Sequence, residues 1–389
     1  MKPYLSSAAS IGYTVLFLMM TIEGLAQSNS SAEIRAYMDQ AQTALRANQP
    51  DVATHAYEAV LKLDPRNVEA RANLGVVAMS TGDWNKAAEE LDAALKLQPS
   101  QSRVQALLGF CEIRLGRPAE ARKLLSAAFP KLDDPKLKRE AGLKLIEIEF
   151  QTGELEKASI ILAALQEANP GDTAVSYAAF RVYTELTFQA IESLAIDSPN
   201  SAQLHRALAE HLVNDGRTEA AITEYRAALV ITPDAPDLHF ELGQAILADS
   251  HLDTSLAEAQ HEFESSLRLN PGDARYECQL AEVDLLRSNP AGASKHFTQA
   301  LRLDSEAACA KAGLAGQLVE EGKQQQALEY LQAAVRSEPY DAEFHYHLAV
   351  LYRQMGNRDE ATKEMETFKQ LRKIGDELKQ ALHPTASPN

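Results

Sequence analysis

The side chains in this sequence that could do chemistry are ten histidines, three cysteines and a few adjacent carboxylates. A metal site needs ligands that converge, and helical spacing decides whether they can. His345 and His347 are two positions apart, which on a helix separates their directions by about 200°; they cannot chelate one ion together. His205 and His239 stand apart by the period described below, and they read as packing residues, with a ligand or a pH-sensitive contact as the alternative. Glu89-Glu90, Asp133-Asp134 and Glu320-Glu321 are carboxylate pairs, but neighbouring helix positions point in different directions, so they read as solvated charge. The sequence holds no glycine-rich phosphate loop, no His-Glu-x-x-His and no nucleophile elbow. No catalytic residue is assigned, and neither a cofactor nor a metal is implied.

The elements that must position these side chains follow from a period. Gly75 and Gly109 are 34 residues apart, as are Gly82 and Gly116, Ala87 and Ala121, Ala94 and Ala128, Pro65 and Pro99, and Pro199 and Pro233. Such self-similarity marks a stacked array. In Val68–Pro99, Leu74, Gly75 and Ala78 share one face of a first helix that ends near Gly82, where glycine can adopt the left-handed closing conformation. Asp83 can cap a second helix, whose Ala87, Leu91 and Ala94 recur at helical spacing before Pro99 stops it. Gly75 and Ala87 are small, which lets the paired helices approach closely.

These residues resemble the tetratricopeptide repeat (TPR) family, a helix–turn–helix of the same length. Copies end near Pro65, Pro99, Asp133, Pro170, Pro199, Pro233, Pro271, Ser305 and Pro339, with a tenth running on from Tyr340. The resemblance implies an all-α fold, a superhelical TPR solenoid of about ten repeats. Repeats 1–4 fall in residues 33–170 and repeats 6–10 in 200–368, followed by a polar capping helix over 369–382 and a tail over 383–389. The fifth copy, 171–199, is short and lacks the closing glycine, so its hairpin turn should differ; it is either a hinge or an irregular repeat of one continuous superhelix. About three extra residues enter the fourth copy near Asp133. Four enter the seventh near His251–Ser255, where they should lengthen the loop between its helices.

In the resembled family, first helices line the inside of the curve and ligands lie there as peptides or helices. Carried over residue by residue, the inner face includes Asn73, then Arg103, Phe110 and Arg114, then Arg206, Phe240 and Gln244, and finally Tyr346. Phe110 between two arginines resembles an interface anchor, or else it packs between neighbouring first helices; Arg206, Phe240 and Gln244 form a second patch with the same two readings. Some members grip a terminal carboxylate through five polar places; Asn73 and Arg103 match two, but Met38, Gln42 and Leu107 fill the others, so that mode is not implied. Cys278 and Cys309 fall on consecutive first helices, offset by three positions. An axial offset of about 4.5 Å between helices about 9 Å apart gives a separation of about 10 Å, too far for a disulfide. They are expected as free, packed thiols.

Composition sets the remaining limits. Aromatics are 6% of the 389 residues, and an apolar content built on Ala and Leu suits close-packed helices. Residues 27–170 carry 18 basic and 20 acidic groups, a net of −2; residues 200–389 carry 18 and 30, a net of −12, out of −17 for the chain. The acidity disfavours nucleic acid as a partner and directs any basic partner to residues 200–389. Lys2, the apolar run Ile11–Ile22 and the small residues before Gln27 read as a secretory signal peptide cut after Ala26, with a linker over 27–32. Because Leu5–Ile22 has no charge, an uncleaved anchor is the alternative. The reading that follows is a periplasmic or secreted, non-enzymatic scaffold that binds a protein or peptide on its concave face. The alternative is a small-molecule or glycan carrier working with a separate enzyme.

Overall fold

A computed structural model describes residues 30–249 and 252–382; the segment 1–26 read as a signal peptide and the tail read over 383–389 lie outside the described residues. Among the described residues there are 19 α-helices, one short 3₁₀ turn and no strand. They form hairpins: α1 (residues 30–46) with α2 (Pro50–Leu63), α3 (Val68–Ser80) with α4 (Trp84–Leu97), α5 (Ser102–Arg114) with α6 (Pro118–Ala128), and α7 (Pro135–Gln151) with α8 (Leu155–Ala168). After α9 (Thr173–Asp197) the pattern resumes with α10 (Ala202–Asn214) and α11 (Thr218–Ile231), α12 (Pro236–Asp249) and α13 (Asp253–Leu269), α14 (Ala274–Leu286) and α15 (Pro290–Leu303). The last two hairpins are α16 (Ala308–Glu320) with α17 (Gln324–Ser337), and α18 (Ala342–Gln354) with α19 (Arg358–Leu382). Helix now covers residues 30–32, the end of the segment read as a linker. No helix among the described residues is long and apolar enough to cross a membrane.

The chain divides into two compact units, Met1–Phe188 and Gln189–Asn389. In each, the core is a string of local clusters, every one shared by two or three successive repeats. The repeat period explains this. Ala87, Leu91 and Ala94 of α4 are at most 1% exposed, and so are Ala121, Leu125 and Ala128 of α6 and Ala158, Leu162 and Leu165 of α8. Across from them, a Cβ on Gly75 would lie 2.7 Å from Leu91 Cγ, and one on Gly243 would lie 2.6 Å from Phe263 Cε1. The hairpins close as their sequence demands: Gly82, Gly116, Gly153, Gly216, Gly322 and Gly356 all have φ between +72° and +84°. In the α1–α2 and α14–α15 hairpins Asn48 (φ +54°) and Ser288 (φ +58°) take that conformation without being glycine.

Three departures from the sequence expectation have simple causes. The segment 171–199 is a single 25-residue helix, α9, and makes no hairpin turn at all; with neither glycine nor proline between Thr173 and Asp197, nothing interrupts it. The four residues added to the seventh copy do not lengthen its loop. They add a turn to α13, which has 17 residues where α11 and α15 have 14. The extra residues of the fourth copy likewise extend α7 to 17, capped by Asp134, whose side chain accepts from the amides of Lys136 and Leu137.

Candidate binding surfaces

In the first unit the first helices leave clefts between them. Asn73 and Val76 of α3 face Arg103, Val104 and Leu107 of α5 across a cleft of about 520 Å³, with Gln98 and Gln101 at one end. A second cleft of about 300 Å³ separates Met38 and Gln42 of α1 from Asn67 and Glu69. Arg103 is exposed and makes no hydrogen bond or ion pair with any described residue, so its guanidinium is free for an outside acceptor. Phe110 and Arg114 do not join this cleft. Phe110 is half-buried against the cluster shared by α5 to α9, and the Arg114 guanidinium lies 5.2 Å from the centre of the Trp84 ring, a cation–π contact that occupies it.

In the second unit the patch read from Arg206, Phe240 and Gln244 does not assemble. Phe240 is 8% exposed. Its ring lies 5.9 Å from Phe263 and 5.3 Å from Tyr276, with the Arg275 guanidinium 5.2 Å above it. The surface assignment of Phe240 is therefore corrected to core: the neighbouring hairpin's Tyr276 covers it, which period alone does not reveal. Arg206 is held by Glu210 at 3.1 Å and by Glu241. Burial nonetheless raises the Glu241 carboxyl above its ordinary value, against the attraction of Arg206. Gln244 is exposed. Tyr346 is 39% exposed and lies 5.2 Å from the Phe368 ring.

His205 and His239, read as packing residues, turn out together with His345 to be polar braces between the two helices of a hairpin. His205 Nδ1 lies 2.6 Å from Glu224, His239 Nδ1 2.5 Å from Glu262, and His345 Nδ1 2.6 Å from Glu364. The α14–α15 hairpin reverses the pair, with His296 on the second helix and Glu277 on the first, 2.6 Å apart. In the second hairpin the same slot holds Arg71, which bonds Glu90 at 2.8 Å and the carbonyl of Pro65 at 3.0 Å. His239 and His345 likewise reach the carbonyls of Pro233 and Pro339, at 2.9 and 3.0 Å. The signal was present in the sequence as basic and acidic residues 19 apart. No group of three His, Cys, Asp or Glu side chains among the described residues is placed to hold a metal ion.

The cysteine expectation is overturned. Cys278 and Cys309 form a disulfide between α14 and α16 with their Cα atoms 6.2 Å apart. The estimate of 10 Å assumed ordinary helix spacing, but the bridge sits among Ala274, Ala281, Ala307 and Ala310, whose small side chains let the helices approach more closely. Cys111 is a free, buried thiol, pushed up to about 11 mainly by burial and secondarily by Glu112.

One surface was missed entirely. Two adjoining clefts of about 560 and 350 Å³ run across α16 and share Leu285, Gly313, Gly316 and Glu320. Two glycines three apart in a first helix were the available signal.

Comparison with known families gives matches to tetratricopeptide repeat models over residues 38–102, 77–134 and 278–341, and over 113–179 and 318–368, and to a TPR repeat model over 209–249. Together these span well over half of the chain. No curated protein matches it. Among solved structures, Cut9 in the APC/C Cut9–Hcn1 hetero-tetramer assembly aligns over 92% of this chain and 90% of its own, at 13% identity and a TM-score of 0.45. Yeast Tom70 aligns over 91% and 97%, at 15% identity and 0.43. YrrB, described as a TPR protein with an unusual peptide-binding site, aligns over 47% and 92%, at 21% identity and 0.34.

Proposed function

The chain belongs to the tetratricopeptide repeat family, and from that membership we propose that it is an exported adaptor that binds a protein or peptide along its first helices. The observation that carries this reading is where the open surface lies. In one unit the clefts open along the first helices α1, α3 and α5, and in the other each cleft has a first helix as one wall, α16 beside α15 and α18, and α18 beside α19. Arg103, exposed and unpaired beside Asn73, offers such a cleft a charged hydrogen-bond donor. The adaptor carries out no chemistry of its own and acts in the cell envelope or in a secreted complex. Export is supported by the basic, apolar and small-residue order of the N-terminal segment and by the Cys278–Cys309 bridge, a bond that persists in oxidising compartments.

Crosslinking in cells followed by affinity capture tests the adaptor. A specific protein recovered with wild type and lost with Arg103→Glu is the expected result, and equal recovery removes the α3–α5 cleft from the proposal. Export has its own check. N-terminal sequencing of the mature protein should begin at Gln27, and an intact Met1 start in a cytosolic fraction defeats it.

A further inference from the structure

The glycines of the first helices are not equivalent. Gly75, Gly109, Gly142 and Gly243 each face a side chain that leaves no room for a Cβ, and a Cβ on Gly313 would meet the Phe297 ring at 2.3 Å. These five are required by packing. Gly316 is not: nothing lies within 4 Å of where its Cβ would be, and its φ is helical, so alanine or a larger residue would fit and would favour the helix. A residue that weakens a helix with no packing reason marks a surface kept open.

What it keeps open is the groove over α16. Apolar side chains line its floor, with Leu285 of α14 49% exposed on one side and Val350 of α18 on the other, and the polar Ser294, Gln317 and His347 stand among them. The two clefts, about 560 and 350 Å³, fall in the size range of sites that hold a ligand group, about 300–1,000 Å³. On the rim stands Glu320, exposed and without a hydrogen bond or ion pair to any described residue. The nearby cation Lys323 is engaged elsewhere, 2.8 Å from Glu321. The half of the chain that holds the groove, residues 200–389, carries a net charge of −12. An apolar floor beside an unpaired carboxylate in an acidic field fits a segment that carries a bulky apolar residue next to a lysine or arginine. The same field repels a second copy of this acidic chain.

We propose that the groove over Gly313 and Gly316 of α16 is a docking site for a basic, apolar peptide segment, whose large side chain enters above Gly316 while its cation pairs with Glu320. This rests on the adaptor reading and names a partner chemistry within it. The Cys278–Cys309 bridge ties α14 to α16 and so holds two of the helices that frame the groove.

The test is a random dodecapeptide display library panned on the full mature protein, with synthetic labelled copies of the enriched peptides titrated by fluorescence anisotropy. Enriched peptides should pair Leu, Ile, Phe or Met with Lys or Arg. Their affinity should fall at least tenfold in Gly316→Leu, which fills the groove, and in Glu320→Lys, and it should weaken between 50 and 300 mM salt in wild type. Gly316→Leu should melt at or above the wild-type temperature, which separates blocking from unfolding. Equal binding by wild type and Gly316→Leu overturns the groove while leaving the adaptor intact. Enrichment of acidic peptides, or of none, also overturns it, and the Arg103→Glu capture then decides the adaptor independently. Self-association of wild type abolished by Gly316→Leu would assign the groove to a second copy and overturn the proposal as well.

Discussion

Residues 30–188 and 189–382 are built from the same hairpin but are held by different side chains. In the first unit Arg71 on Glu90 braces the two helices of a hairpin, while Lys86 on Glu58, Arg122 on Glu149 and Arg139 on Asp172, the last carboxylate also capping α9, link successive hairpins or helices. In the second unit histidines fill the slot that Arg71 fills in the first, with Glu224, Glu262, Glu277 and Glu364; arginines still link hairpins, Arg206 to Glu241 and Arg226 to Glu258, and a disulfide is added. The small residues that set helix spacing recur in both units; the polar slot is interchangeable. That exchange bears on charge. An arginine brace cancels its glutamate in the formal count and a histidine brace does not, which contributes to the −12 of residues 200–389 against the −2 of residues 27–170.

The largest test of the contrast is reduction. Breaking Cys278–Cys309, whose sequence separation is 31, should cost the second unit about 3–4 kcal/mol through the freed chain of its unfolded state and leave the first unit unchanged. Hydrogen exchange with and without dithiothreitol, or in Cys278→Ala/Cys309→Ala, reads the two units separately. Equal loss of protection in both would mean that the bridge is no local staple. Next is the close-approach glycine. Gly243→Ala puts a Cβ against Phe263, a fully buried ring that cannot swing away, and should destabilise by about 1–3 kcal/mol. Gly109→Ala meets Cγ and Cδ2 of Leu125, both 2.8 Å away, in a smaller side chain with more rotamers than a ring, and should cost less. Urea melts rank them, and the reverse order would show the first unit to be the stiffer.

Much of the fold was legible in the sequence because the repeat writes each hairpin several times over: small residues, closing glycines and terminal prolines all agree. The fifth copy escaped because a missing glycine was read as an altered turn, when the chain from Thr173 to Asp197 has nothing to stop a helix. The site was less legible. Asn73 and Arg103 do share a cleft, but Phe240 lies in the core and Arg114 on Trp84; both follow from neighbours that a single repeat does not contain. The histidine braces and the disulfide are likewise properties of pairs of helices, set by how closely alanine-lined faces meet.

The brace comparison can itself be broken. His345 is 7% exposed, with its ring nitrogens 2.6 Å from Glu364 and 3.0 Å from the Pro339 carbonyl, so His345→Leu removes the polar partner of two partly buried acceptors and should cost about 1–2 kcal/mol. Arg71→Leu, in a wetter slot with side chains 23% and 17% exposed, should cost about 1 kcal/mol or less. Double-mutant cycles with Glu364→Gln and Glu90→Gln measure the two couplings. A larger coupling at Arg71 would mean that burial does not set the strength of the slot.

The smallest effect concerns the turn. Ser288 holds φ at +58° where six other hairpins have a closing glycine, and an L-residue there carries a steric penalty of about 1–2 kcal/mol. Ser288→Gly relieves that penalty but frees the unfolded chain, so the net gain should be below about 1 kcal/mol. Asn48, at φ +54° in the first unit, has a side chain that tolerates the conformation, and Asn48→Gly should change stability by less. Matched urea melts of the two variants settle the order. If Asn48→Gly gains more, the constraint at Ser288 is met by something beyond its own backbone, and the candidate is Asn289 beside it, whose side chain bonds Asp284 at 3.0 Å and the Gly292 amide at 3.1 Å.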